Sequence, residues 1–184
     1  MPKTDPSNRK RPNILITGTP GTGKTYTATS IADQCSFHHV DISSIIEASK
    51  CHLEYDATLE THVLDEDALL DILEEQYFDS NEYFEGGLVA DYHSSSLFPE
   101  RWFDLVIVLK CSTEVLFDRL TKRGYNDKKR SENIQAEIMR VVADEALESY
   151  EKEIVVEIDN NSIEDADSLL DRVNQWHQAW LNDR

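Results

Sequence analysis

An α/β fold, a parallel sheet of five strands covered by helices on both faces, is what this chain predicts, and three observations carry the prediction. Short apolar runs alternate with longer segments of helical spacing, a glycine-rich loop joins the first such pair, and Leu105 to Leu109 is uniformly apolar, as an interior strand buried on both faces is. Alternation of this kind implies right-handed crossovers and places ligands at the carboxyl ends of the strands.

Asn13 to Thr17 is the first strand; it ends in a glycine cluster, and Tyr26 to Gln34 follows with helical spacing. A second strand is predicted over Phe37 to Ile42, with Ser43 capping a short helix from Ser44 to Ser49. Lys50 to Val63 reads as polar and irregular. Asp65, Glu66 and Asp67 place negative charge where a helix begins, ahead of Leu69, Leu70, Ile72 and Leu73 on one buried face, and that helix is expected to end near Tyr77. After the break at Gly86-Gly87, Leu88 to Asp91 is the third strand and Leu105 to Leu109, the most strand-like run present, is the fourth. Thr113 to Arg123 is predicted helical, Gly124 to Arg130 a basic loop, and Ser131 to Lys152 one helix of about six turns carrying Ile134, Ile138, Val141 and Val142. Ile154 to Ile158 is the fifth strand. Ser162 caps a last helix whose packed stripe is Leu169, Leu170, Val173, Trp176 and Trp180.

A length of 184 residues suits one domain. The 36 acidic against 18 basic side chains, a net charge of -18, disfavour bare nucleic acid or an anionic membrane as the main partner. A basic protein partner fits that charge; so does an acidic surface that serves solubility alone. Cys35, Cys51 and Cys111 lie far apart with no C-x-x-C pair, which points to a reducing compartment, and His38, His39, Cys51 and His52 match no closed zinc spacing. No run approaches the roughly 18 apolar residues of a membrane span, and the first residues lack the apolar stretch of a secretory signal, so nucleus or cytosol is expected. Met1 to Pro12 is polar, with Lys3 and the cluster Arg9, Lys10, Arg11; a flexible arm over 1–12 and a single domain over 13–184 are the expected organisation.

Gly18-Thr19-Pro20-Gly21-Thr22-Gly23-Lys24-Thr25 fits G-x-x-x-x-G-K-[ST], and it lies between a predicted strand and a predicted helix, the context the motif requires. Its glycines let backbone N–H groups turn inward around phosphate, the helix N-terminus adds positive potential, Lys24 reaches the terminal phosphates and the Thr25 hydroxyl can ligate magnesium. ATP with magnesium is therefore the expected ligand, held by Gly21, Thr22, Gly23, Lys24, Thr25 and Tyr26. Asp91 closes the third strand facing the same crevice, where its carboxylate can hold magnesium directly or through water. His93, two residues on, is placed either to orient or deprotonate a water beside the terminal phosphate or to sit neutral in a loop. Arg119 and Arg123, four apart at a helix end, suit a phosphate clamp or C-terminal capping by cations.

Together the phosphate loop, Asp91-Tyr92-His93, Phe98-Pro99-Glu100-Arg101-Trp102 and Arg123-Gly124-Tyr125-Asn126 resemble the nuclear adenylate kinase isoenzyme 6 family, also called the coilin-interacting nuclear ATPase family, over about Asn13 to Trp180. The resemblance implies a P-loop NTPase fold like adenylate kinase, with a nucleoside-monophosphate segment around 41–66 and a short lid around 122–131. It implies phosphoryl transfer from ATP to AMP, ATP hydrolysis, and a role in late maturation of the small ribosomal subunit and its 18S rRNA. The implied partners are the pre-40S particle and a basic small-subunit ribosomal protein, with no membrane and no direct sequence-specific nucleic-acid binding, in nucleus and cytoplasm. By the same resemblance Arg123 contacts ATP from the lid, His93 supports hydrolysis, and the loop around Ser162 lies near the adenine.

The monophosphate-segment helix carries Glu47 where the family tends to place a basic residue, which leaves Lys50 and Arg101 as candidates for the AMP phosphate. Tyr77 to Glu85 is a few residues longer than is usual in the family and is expected to be a surface insertion. Two activities compete: a nucleoside-monophosphate kinase whose lid excludes water, and mainly an ATPase switch or assembly chaperone with weak AMP kinase activity.

Overall fold

The computed structural model describes residues 9–56 and 61–183. Their central sheet is five-stranded and wholly parallel, built from β1 (Ile14–Gly18), β2 (His38–Asp41), β5 (Leu88–Asp91), β6 (Leu105–Lys110) and β7 (Val155–Asp159) in the order β2-β5-β1-β6-β7. Successive side chains of a strand point to opposite faces, and β1 shows the consequence. Leu15 packs with Ala90, Val106 and Val108 in a core that also holds Leu69, Leu73, Phe78, Trp102 and Ala146. Ile14 and Ile16 face the other way, into a core with Ile31, Ile107, Leu169 and Val173. The first layer is roofed by α2 (Ile42–Ser49), α3 (Glu66–Leu73) and α6 (Val141–Ser149), the second by α1 (Lys24–Cys35) and α7 (Ile163–Asn182). The remaining helices, α4 (Thr113–Lys122) and α5 (Asp127–Ile138), pack on each other beyond β6. None of the described helices is long and apolar enough to cross a membrane.

Asn13 ties the amino ends of three strands. Its side-chain amide donates to Trp102 O at 3.0 Å, its side-chain oxygen accepts from Leu88 N at 3.1 Å, and its own N–H donates to Asp104 at 2.8 Å. Asp104 also receives Arg9 at 2.8 Å, in an ion pair whose side chains are 7% and 11% exposed. The expected flexible arm over 1–12 therefore holds an anchored portion: residues 9–12 are pinned by this pair and by backbone bonds from Lys10 and Arg11 to Glu85 O at 2.9 Å. Residues 1–8 lie outside the described part.

Several local expectations change. The second strand runs directly into α2, so the cap is Asp41, accepting from Ser44 N at 3.0 Å, rather than Ser43. Within the segment read as irregular, β3 (His52–Asp56) and β4 (Thr61–Leu64) form an antiparallel hairpin. The helix that begins at Asp65 widens into a π-helical turn over Glu74–Phe78. The segment read as an insertion has a definite job: Tyr77, in that turn, stacks with His38 at a centroid distance of 5.7 Å and Tyr83, beyond it, meets the same ring tilted at 4.9 Å, covering the amino end of the outermost strand β2.

The single long helix expected over 131–152 is two helices. Arg140 adopts a left-handed conformation (φ 59°) between α5 and α6, and its guanidinium fork grips Glu157 of β7 at 2.8 and 2.9 Å. Ile138 and Val141, placed on a buried stripe by periodicity, are 64% and 48% exposed at this corner. The basic loop is correspondingly short, because Asn126 caps α5 through Lys129 N at 2.8 Å and Asp127 is already helical. Ser162 caps α7 as expected, in a reciprocal capping box with Asp165.

Candidate active site

The phosphate loop leaves the carboxyl end of β1, between β5 and β6, where the strand order reverses and a crevice must open. Two glycines are dictated by contact as well as by backbone. At Gly18 (φ +150°) an added Cβ would lie 2.6 Å from Leu109 O, and at Gly23 (φ +99°) it would lie 2.7 Å from the Asn160 side-chain amide. Lys24 opens α1, and its ammonium donates to Gly18 O at 2.8 Å and Thr19 O at 3.3 Å, an inward pose set among the groups that would surround phosphate. Burial pulls the Lys24 pKa down to about 8, with Asp91 and Glu137 opposing the shift and Arg123 adding to it.

The Thr25 hydroxyl donates to Asp91 at 2.7 Å, and the other Asp91 oxygen contacts His39 Nε2, also at 2.7 Å. Asp91 is 4% exposed and thus held from both sides. His39 is shifted upward, first by its hydrogen bond to that carboxylate. His93 lies on the open wall of the crevice with its ring 4.3 Å from that of Tyr92, and its pKa is lowered by surrounding protein atoms and then by the Lys24 charge, with Glu145 opposing. Lys24, Thr25, Tyr26, Asp91, His93 and Arg123 line one cavity of about 320 Å³. A second, of about 520 Å³, adjoins it through Gly21, Gly23, Tyr26 and Arg123 and is walled by Arg119, Asn161, Ser162 and Ile163. One cleft thus has a charged compartment and a more apolar one, the shape of a triphosphate joined to a base.

Not every candidate arrives as expected. Arg119 is committed to structure: its guanidinium donates to Asn160 O at 2.9 Å, to Asn161 O at 3.3 Å, to the Cys111 sulfur at 3.0 Å and toward Gly21 O at 3.4 Å. It frames the apolar compartment, leaving Arg123 to face the phosphate side. Arg101 lies in a short 3-10 turn near the amino end of β6, paired with Glu74 at 2.8 Å, and lines a separate cavity with Trp176 and Trp180. Lys50 is the exposed, left-handed C-cap of α2, and neither it nor Glu47 lines the crevice. Phe98 and Trp102, of the same block as Arg101, are core, with Trp102 stacked on Phe78 at 4.1 Å, while Glu100 is exposed.

Four residues of the site escaped sequence reading. Asn160 (4% exposed), the residue after β7, donates from its side chain to Thr22 O at 2.8 Å and props the loop. His39 orients Asp91. Glu145 of α6 accepts from the Ser94 hydroxyl and Ser96 N at 2.9 Å and from Ser95 N, and so shapes the turn that carries His93. Glu137 of α5 accepts from the Thr19 hydroxyl and from Cys111 N at 2.9 Å. No spacing rule flags such residues, because their partners are 26 to 138 positions away in the chain.

The fold and this cleft define a phosphate-loop kinase. Among solved structures, shikimate kinase from Bacteroides thetaiotaomicron superposes with a TM-score of 0.59 at 16% identity, covering 89% of this chain and 96% of that one. A gluconokinase from Sinorhizobium meliloti does so at 0.50 and 18% identity, covering 92% and 98%, a likeness of fold alone. The family model described as an AAA domain matches residues 14–140. An adenylate kinase isoenzyme 6 homolog of Dictyostelium discoideum is 45% identical over 94% of this chain and 95% of its own length. One from Caenorhabditis elegans is 44% identical over 91% and 90%, and one from Drosophila melanogaster 40% identical over 96% and 98%. The chain belongs to the adenylate kinase isoenzyme 6 family, and a nucleotide-kinase-like function follows.

Proposed function

We propose that this protein transfers the terminal phosphoryl group of ATP to AMP, giving two ADP, and also hydrolyses ATP. The observation that carries the proposal is the single cleft in which Lys24, Thr25, Asp91, His93 and Arg123 face one space, continuous with the compartment at Ser162 and Ile163. Adenine fits the second compartment, between the exposed side chains of Tyr26 and Ile163.

Magnesium suits the donor set. The Thr25 hydroxyl and the Asp91 carboxylate are two hard oxygens 2.7 Å apart, and magnesium binds one or two protein oxygens while keeping water and phosphate as its other ligands. The chemistry it supplies when bound is neutralisation of charge on the phosphate oxygens. Lys24 swings from the loop carbonyls to the phosphate it is poised to meet, and Arg123 approaches from the turn between α4 and α5, so that two cations stabilise the moving phosphoryl group. His93, held toward its neutral form, can accept a proton or orient a water.

A second reading, mainly an ATPase switch with weak AMP transfer, is favoured by one feature. Among the described residues neither Lys50 nor Arg101 lines the cavity that holds Lys24, Asp91 and Arg123, while His93 sits on its open wall, where water has access. For the cellular role we carry over the family expectation: maturation of the small ribosomal subunit in nucleus and cytoplasm, with a basic ribosomal protein as partner. The charge of -18 supports it.

The test incubates the protein with magnesium and ATP, with and without AMP, and separates ATP, ADP, AMP and phosphate chromatographically. Lys24→Ala, His93→Ala and a chelator are the controls. ADP that appears with loss of AMP and without matching phosphate establishes the kinase. Phosphate release indifferent to AMP supports the switch, and no turnover in either condition refutes both.

A further inference from the structure

The carboxylate of Glu137 joins parts of the molecule that lie far apart in sequence. One oxygen accepts from Cys111 N at 2.9 Å, immediately beyond β6, and the other accepts from the hydroxyl of Thr19 inside the phosphate loop. Thr19 is 1% exposed, and its carbonyl is an acceptor for three loop donors: Thr22 N at 3.2 Å, the Thr22 hydroxyl at 2.8 Å and the Lys24 ammonium at 3.3 Å. Holding the Thr19 side chain therefore sets one of the two carbonyls against which Lys24 rests, the other being Gly18 O at 2.8 Å.

Glu137 is also placed to sense the lid. It lies in the last turn of α5, whose first turn follows directly on Arg123, Gly124 and Tyr125 and is capped by Asn126. A helix of 12 residues is a rod of about 18 Å at 1.5 Å per residue. Just past Glu137, Arg140 pins the corner to Glu157 of β7. The rod is thus fixed to the sheet beyond one end, carries the Arg123 turn at the other, and touches the phosphate loop through Glu137.

We infer that Glu137 is a positioning residue, a latch that ties the phosphate loop to the lid helix so that Lys24 and Arg123 are set in register for phosphoryl transfer. The inference rests on the phosphoryl-transfer reading of the cleft. Glu137 need not touch substrate; it acts through Thr19 on one side and α5 on the other.

Glu137→Gln keeps the shape of the side chain and removes its charge, and Thr19→Val keeps the branched packing and removes the donor. Each variant, and the double variant, is assayed for kcat and for KM of ATP. Hydrogen exchange of the loop and of α5 is measured without nucleotide. A latch lowers kcat about tenfold in each single variant, equivalent to about 1.4 kcal/mol, with KM changed less than about twofold. The double variant should lose no more than either single one, because the two groups act as a pair. Exchange must be reciprocal: Thr19→Val speeds the last turn of α5, and Glu137→Gln speeds residues 18–25. Unchanged kcat in Glu137→Gln, additive losses, or exchange faster at the mutated end alone overturns the latch. Because exchange is read without turnover, a latch intact in a protein without kinase or ATPase activity would overturn the proposed reaction while leaving the coupling standing.

Discussion

Replacing Asn160 with alanine tests how the sheet props the phosphate loop, and the structure isolates the effect. The backbone contacts of Asn160 survive the change: its N–H donates to Lys110 O at 2.8 Å, and its carbonyl accepts from Arg119 and the Cys111 thiol. What is lost is the side-chain N–H donated to Thr22 O at 2.8 Å, in a loop residue that is 0% exposed. Leaving a buried carbonyl without its donor costs about 2 kcal/mol. For a chain of this length that lowers Tm by about 4–8 °C. On the proposed reading ATP binds the ordered loop, and a tenfold weaker affinity in the variant widens the Tm gap at saturating ATP by a further 1.4 kcal/mol or about 3–6 °C. Thermal unfolding of both proteins, with and without magnesium and ATP, reads both quantities. A Tm shift below about 1 °C would show that Thr22 finds another donor. A gap of equal size with and without ATP would show that Asn160 is a core strut with no hold on the nucleotide site.

Arg9→Ala should lower stability by about 3 kcal/mol, because it takes the cation from the largely covered Asp104 carboxylate and leaves it only the Asn13 N–H; Tm falls by about 6–12 °C in the same unfolding assay, far more than truncation in a solvated arm would cause. Glu145→Gln should show a pH-dependent cost. Burial raises the Glu145 pKa, but hydrogen bonds from Ser96, Ser95 and Ser94 outweigh it and hold the folded value below the unfolded one. The stabilisation is therefore present above the ordinary glutamate range and is lost as pH falls through the lowered folded pKa. Tm profiles of wild type and variant should lie apart at neutral pH and converge in acid; parallel profiles would contradict the assignment.

The fold was legible because its signals are local. β6 reads as a strand from five consecutive apolar residues, and the whole of it except Lys110 is buried. Ser162 reads as a cap from its position before an acidic first turn, and the capping box confirms it. Periodicity failed at Ile138 and Val141, where Arg140 turns the chain through a left-handed residue that glutamate from another strand stabilises. The pairing of β3 with β4 was illegible, because the described apolar side chains of these strands leave no buried alternation to read; Leu53 is 62% and Val63 44% exposed. Helical spacing put Arg119 on one face with Arg123 but could not say which carbonyls that face would meet; in the structure Arg119 lines the apolar compartment while its guanidinium bonds Asn160 O and Asn161 O.

By itself the sequence determined the phosphate loop, its strand and helix and the crevice carboxylate Asp91, since each is encoded in neighbouring residues whose backbone geometry and charge are local properties; the family was legible as the resemblance of four separate blocks between Gly18 and Asn126. The tertiary structure alone decided which side chains brace that loop and its neighbours in the crevice. Asn160, His39, Glu137 and Glu145 come from the residue after β7, from β2, α5 and α6, and only the packing of these elements around one parallel sheet brings them to Thr22, Asp91, Thr19 and the Ser94–Ser96 turn.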